Sequence, residues 1–394
     1  MQDPVVVVEG ARTAIGTYGG SFKDTPTFEL GAAAIRAALE RAEVSPEEVD
    51  EVVLGCVGQV GPEAFNARRA ALAADLPVTS NAYNVNRLCG SGLQAIWSAA
   101  MELTSGEATI AVAGGNENMS LQPFLDYRAR SGYQLGDRTV LDGTLSLVTD
   151  PWGRYSMGVT AERVAEKFGV SRQQQDEFAA LSQERAGKAL ASGLFDPEIV
   201  PVEVKERRTM RAVTVDEHPR PDTTVEKLAS LRTVFQKDGT VTAGNSSGIN
   251  DGAAALVLMR ESVARSRGRK PLGRLLAMAK GGTAPEIMGY APTVAIARVL
   301  EKTKLSVDDI DVVELNEAFA AQAVAVIRDA GLDPERTNPN GGAIALGHPV
   351  GATGAILTLK LLHELRRREA ELGMVTMCIG GGQALAAVFQ VPGD

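Results

Sequence analysis

Apolar and polar positions along the chain fall into repeated pairings of a helical stretch with a short apolar run. Residues 33–55, AAIRAALERAEVSPEEVDEVVLG, place apolar residues three and four apart, then an acidic turn, then a buried-type strand. Residues 294–316, VAIARVLEKTKLSVDDIDVVELN, repeat that order and align without a gap at an offset of 261, which sets Ser306 on Ser45. Leu39-Glu40 then lies over Leu300-Glu301 and Val49-Asp50 over Ile310-Asp311. Such self-similarity predicts two related halves. Between them, from about Ser120 to Thr242, the pattern changes to Gly, Pro and charged residues. This stretch holds one long helical segment, Ser171 to Ser192, and a basic, loop-like run, Lys205-Glu206-Arg207-Arg208-Thr209-Met210-Arg211.

Three segments carry candidate chemistry. Cys89 lies in Asn86-Arg87-Leu88-Cys89-Gly90-Ser91-Gly92, a turn that runs straight into an apolar helical stretch containing Ile96, Trp97 and Leu103. A cysteine at the positive end of a helix is expected to favour thiolate, although a lone cysteine there also serves as core filling. His348 occupies a loop, Asn338 to Gly354, rich enough in glycine for close backbone approach to a ligand. Cys378 stands at the mouth of a short apolar strand, Val375-Thr376-Met377-Cys378-Ile379, that ends in Gly380-Gly381-Gly382. The repeat offset places Cys89 over Val350, two residues past His348, so the two groups are expected on equivalent loops at the seam of the halves.

Together with Glu314-Leu315-Asn316-Glu317-Ala318-Phe319-Ala320, these segments resemble the active-site motifs of the thiolase family, in the family's order, and the resemblance runs from about Val5 to Phe389. It implies an α/β fold of thiolase type: two pseudo-symmetric βαβαβ halves in an α-β-α-β-α arrangement with an inserted loop domain. The expected division is an N-terminal half over 1–119 plus 243–268, an insert over 120–242 that binds CoA, and a C-terminal half over 269–394. The implied reaction is reversible Claisen condensation of two acetyl-CoA to acetoacetyl-CoA and CoA through a Cys89 acyl-enzyme. A degradative 3-ketoacyl-CoA thiolase is the alternative, and a non-catalytic acyl-CoA or lipid carrier a remoter one. By the same resemblance His348 takes the Cys89 proton, Cys378 moves a proton at the alpha carbon, and Gly380 donates to one oxyanion. Asn316 holds a water for the other oxyanion, although read alone it could equally be a helix cap. Arg220, Ala243 and Ser247 are implied CoA contacts. Met157, Met288 and Phe319 are implied to line a short acyl pocket, where core methionine is the plainer reading. Ser156, Tyr290 and Ala291 depart from the short-chain subgroup, and Pro219-Arg220-Pro221-Asp222 looks closer to degradative members. No cofactor is expected, since CoA and acyl-CoA are substrates, and a homodimer or homotetramer is implied.

Composition narrows this further. At 394 residues and 44% hydrophobic content the chain can bury a large core. It offers no apolar run near the roughly 20 residues that cross a bilayer and no signal peptide, so no membrane partner is expected. Cys56, Cys89 and Cys378 are an odd count without CxxC spacing, which disfavours a disulfide framework or a metal site and suits the cytoplasm. A net charge of −9 argues against nucleic acid. The run Gly244-Asn245-Ser246-Ser247-Gly248 matches the pattern of hydrolase nucleophile elbows, but the polar turn before it argues against one. Ketoacyl synthases, which share the fold, keep a His or Asn where this chain has Cys378.

Overall fold

The computed structural model describes residues 3–206 and 208–392. In the first half, β1 (Val5–Thr13) leads to α1 (Thr27–Ala42), β2 (Glu51–Gly55), α2 (Asn66–Ala73), β3 (Asn81–Val85), α3 (Ser91–Ser105) and β4 (Ile110–Asn118). The inserted stretch contains α4 (Met157–Phe168) and α5 (Arg172–Ala191). The chain then returns through β5 (Asn250–Arg260), which lies between β1 and β4. The second half comprises β6 (Gly273–Gly282), α6 (Pro292–Thr303), β7 (Val312–Leu315), α7 (Ala320–Asp329), α8 (Thr353–Arg367), β8 (Leu372–Ile379) and β9 (Gln383–Gln390). Strand order is β7-β8-β9-β6-β1-β5-β4-β2-β3. The halves join where β1 meets β6 antiparallel, through Val6 opposite Arg274 and Val7 opposite Gly273.

Helices complete the layers. α3 and α8 pack on each other, α3 on strands of the first half and α8 on strands of both, while α1 and α2 cover the outside of one half and α6 the outside of the other. Gly92 and Gly354 let the two central helices meet at their N-termini: a Cβ on Gly92 would stand 2.9 Å from the Ala355 nitrogen, and one on Gly354 would collide with the Leu93 backbone.

The internal repeat is carried through in detail. Both copies end their helix on a left-handed residue, Glu43 (φ 48°) and Lys304 (φ 59°), followed by a one-turn 3-10 helix. Ser45 N donates to Glu48 Oε2 at 3.0 Å and Ser306 N to Asp309 Oδ2 at 2.7 Å, so each copy closes the same reciprocal cap. Asp50 then accepts from Thr109 and Ile110 N–H as Asp311 accepts from Glu371 and Leu372 N–H. The copies part where the first has strand β3. There the second has a short helix, Ala343–Leu346, and a single bridge from Val313 to Thr337. Gly341 and Gly347, with φ of +76° and +104°, bound that helix in a conformation that glycine adopts freely.

Two readings of the insert resolve differently. The long helix forms as α5, with Ser171 accepting from Gln174 N–H as its cap. The basic run is not a loop: Val202–Glu206 and Thr209–Val213 pair as an antiparallel hairpin, because Val202 and Val204 alternate inward while the charges face out. Arg207 lies outside the described residues. The insert is tied to β1 by wholly buried Arg12, whose guanidinium reaches Glu198 at 3.0 Å and Asp216 at 2.8 Å. Among the described residues no helix is long and apolar enough to cross a membrane.

Candidate active site

β3 delivers the chain into the Asn86–Gly90 turn. Leu88 there takes a positive φ of 47°, held by its N–H to Asn86 Oδ1 (3.1 Å), and Ser91 Oγ accepts from Arg87 N–H and donates to the Leu88 carbonyl. Cys89 is thereby presented just ahead of α3. The helix does not make it a thiolate. The Gly90 and Ser91 N–H groups are taken by the carbonyls of Arg87 and Leu88, so they are not aimed at sulfur. Burial pushes the Cys89 thiol up to about 11, against the opposing pull of the Gly380 N–H and its own N–H. Its alkylation by iodoacetamide is therefore expected to accelerate about tenfold per pH unit from pH 7 to 9, following the thiolate fraction. Rates measured against pH that level off by pH 7 would contradict this. Cys89 is also expected to label ahead of Cys56, which is wholly buried and whose thiol is held up by burial and then by Glu117.

His348 is fixed from three sides. A Cβ on Gly347 would stand 2.5 Å from Asn250 Cγ, and Asn250 Oδ1 accepts the His348 N–H at 2.9 Å. His348 Nδ1 lies 2.6 Å from Thr353 Oγ1, which gives its own proton to the Pro349 carbonyl at 2.9 Å. That assigns the proton to Nδ1 and the lone pair to Nε2, which has no protein partner. Burial lowers the imidazole to about 4, so the ring is neutral at physiological pH. Asn250 and Thr353 were not singled out from sequence; the signal was their position, one two residues past the glycine-serine run and one opening the helix after the histidine loop.

Asn316 is not a helix cap. It follows β7 with its N–H on the Thr376 carbonyl at 3.0 Å, and α7 begins only after Phe319. Asn316 is fully buried, and both polar atoms of its side chain lack protein partners. Cys378 is also wholly buried, in the apolar cluster that contains Met157, Met288 and Phe319; burial, then the charge of Cys89, raises its thiol well above the ordinary range.

A cavity of about 410 Å³ brings Cys89, His348, Gly380, Ser247, Met157, Met288 and Phe319 together on one wall system. This is ample for a small-molecule site. Phe235, from the insert, also lines it and meets Phe319 edge-on with centroids 6.0 Å apart, a contact the sequence did not announce. Cys378 and Asn316 do not line the cavity surface. A second cavity of about 340 Å³ is lined by His218, Arg220, Lys227 and Ala243, so Arg220 and Ala243 stand apart from Cys89, while Ser247 joins its cavity. The basic hairpin lines neither. Ser246 gives its hydroxyl to the Thr242 carbonyl at 2.7 Å and is no nucleophile elbow. No cluster of three or more His, Cys, Asp or Glu side chains suited to a metal occurs among the described residues.

The family model for the thiolase N-terminal domain matches residues 5–262, and that for the thiolase C-terminal domain matches residues 269–391. The chain is 50% identical over 392 residues to the β-ketothiolase BktB of Cupriavidus necator, covering 99% of this chain and 100% of that protein. It is 49% identical over 388 residues to the acetyl-CoA acetyltransferase of Escherichia coli, with 98% of each covered. The acetyl-CoA acetyltransferase of Bacillus anthracis superposes with a TM-score of 0.98 at 45% identity, over 99% of each chain. With the two domain models together matching residues 5–262 and 269–391, and half of 392 aligned positions shared with one relative, this chain belongs to the thiolase family.

Proposed function

We propose that the protein is an acetyl-CoA acetyltransferase that condenses two acetyl-CoA to acetoacetyl-CoA and CoA and runs the reverse cleavage. The observation that carries this reading is a neutral His348 with its Nε2 lone pair free, on the wall of the same cavity as the protonated Cys89. In the cleavage direction His348 takes the Cys89 proton, and the thiolate adds to the keto carbon of the substrate. The bond between its second and third carbons breaks, leaving the acyl group on Cys89 and the electron pair on the alpha carbon. The Cys378 thiol, kept protonated by burial, gives that carbon its proton and acetyl-CoA leaves. A second CoA gives its thiol proton to the Cys378 thiolate and takes the acyl group from Cys89, whose departing sulfur is reprotonated by His348. N–H groups of Cys89 and Gly380 serve the thioester oxyanion; His348, with a water held by Asn316, serves the other. Arg220 with Lys227 suits the phosphates of CoA in the second cavity, and Ala243 and Ser247 follow its arm toward Cys89. CoA enters as substrate and no cofactor is assigned.

Mixing the protein with acetoacetyl-CoA and CoA tests this: loss of the enolate absorbance supports it. Tight binding without loss makes the protein a carrier, and carbon dioxide released from malonyl-CoA makes it a synthase. Met157, Met288 and Phe319, with Phe235, line the cavity and pack in one apolar cluster, so an acyl chain that reaches them meets packed side chains with each added methylene, at a cost of about 1 to 3 kcal/mol. Acetoacetyl-CoA is the expected best substrate, with a graded fall toward five and six carbons because methionine adapts. Met288→Ala is expected to raise kcat/KM for the longer chains relative to acetoacetyl-CoA. Equal wild-type turnover of 3-ketodecanoyl-CoA would instead establish the degradative reading. A cytoplasmic homodimer or homotetramer fits three free cysteines and the half-exposed strand β3 at the open edge of the sheet.

A further inference from the structure

One buried carboxylate outside the proposed chemistry touches both halves at the seam. Glu117, near the end of β4, is wholly buried, and its two oxygens are filled by backbone N–H groups. Oε2 accepts from Val57 at 2.9 Å and from Gly351 at 3.0 Å, and Oε1 accepts from Gly58 at 3.0 Å. Val57 and Gly58 belong to the loop after β2 in the first half. Gly351 belongs to the second half, three residues beyond His348. Val57 and Val350 line the Cys89 cavity and pack together with Met119 against Leu88 and Cys89. The fit at the crossing is tight, since a Cβ on Gly351 would stand 2.6 Å from Glu117 Oε2 and 2.8 Å from the Gly55 carbonyl. No Lys, Arg or His pairs with Glu117 among the described residues; the three N–H groups, with the Cys56 thiol 4.0 Å from Oε1, oppose the desolvation of its charge, which still raises the carboxyl to about 7, so the clamp is fullest above neutral pH.

We propose that Glu117 is a positioning residue for the reaction: its carboxylate clamps the 57–58 loop of one half to the histidine loop of the other and thereby fixes Cys89 and His348 in register. The catalytic consequence rests on the function proposed above, but the clamp does not. Three converging N–H donors demand three acceptor positions and no donor. A glutamine can satisfy Val57 and Gly351 through its one oxygen, yet it then turns an NH₂ group toward the Gly58 N–H, so it releases part of the clamp while nearly preserving volume. Small displacements of reacting groups cost rate far out of proportion to binding.

The test is Glu117→Gln, read by steady-state kinetics and by backbone hydrogen exchange. The expected result is a fall in kcat of about 10- to 100-fold with KM for acetoacetyl-CoA changed less than threefold. Faster exchange is expected together at Val57, Gly58 and Gly351. Because a buried change could prevent folding, the unaltered enzyme supplies a second measurement, in which these three amides are expected to exchange at one common opening rate although they belong to opposite halves. Independent exchange of Gly351 from Val57 and Gly58 would overturn the clamp, as would a variant whose kcat stays within twofold. Common exchange in a protein that fails to cleave acetoacetyl-CoA would support the clamp and overturn the proposed function instead.

Discussion

Replacing Cys89 with alanine is expected to abolish both acyl-enzyme formation and turnover, whereas Cys378→Ala is expected to stop turnover while the acyl-enzyme still forms. The split follows from where the two thiols are. Cys89 is half-buried on the cavity wall, within reach of an acyl group and of the Gly380 N–H that favours its thiolate. Cys378 is wholly buried behind that wall, with a thiol that burial keeps protonated, which suits a proton donor and not a nucleophile. Accepting an acetyl group from acetyl-CoA needs only Cys89, His348 and the oxyanion donors; making or breaking the carbon–carbon bond needs the second proton as well. Acetyl transfer and condensation measured side by side on both variants separate the roles. A Cys378 variant that condenses near the wild-type rate would remove that residue from the mechanism.

Asn316→Ala is expected to lower kcat by about 10² to 10³-fold, the usual effect of deleting one oxyanion donor, with little change in melting temperature. Both effects come from one observation. Because neither polar atom of the Asn316 side chain has a protein partner, truncating it orphans no buried group of the folded protein. A structural asparagine behaves the opposite way, losing stability first. Kinetics and thermal melts on the same preparation distinguish them, and a variant that melts several degrees lower but keeps its kcat would make Asn316 structural.

Local grammar made the repeat legible. Ser45 with Glu48 and Ser306 with Asp309 are caps written within four residues, and the apolar strands that follow them need no distant partner to be recognised. The motifs likewise pointed to Cys89 and His348, which the fold brings to one cavity, and to Cys378, which it buries beside that cavity's lining. The sequence could not show the far side of each contact. His348 depends on Asn250, 98 residues away, and Glu117 reaches Gly351 across 234 residues. Phe235 closes on Phe319 from within an insert that had no motif at that point. The expectation of a helix-stabilised Cys89 thiolate failed for a local reason that only coordinates reveal, since turn carbonyls occupy the amides that would have faced the sulfur. The basic run was misread because its charges outweighed the alternation of Val202 and Val204.

Cys89 as the carrier of the acyl group, with His348 as its base, is open to direct trapping. The most direct test is to incubate the protein with acetyl-CoA labelled in its acetyl group, quench in acid, digest and map the label. One acetyl group per chain is expected on the peptide that contains Cys89, with none after prior alkylation of that thiol and a rate of labelling that collapses in His348→Ala. Label on Cys56, Cys378 or Ser247, or labelling of Cys89 that proceeds unchanged without His348, would contradict it.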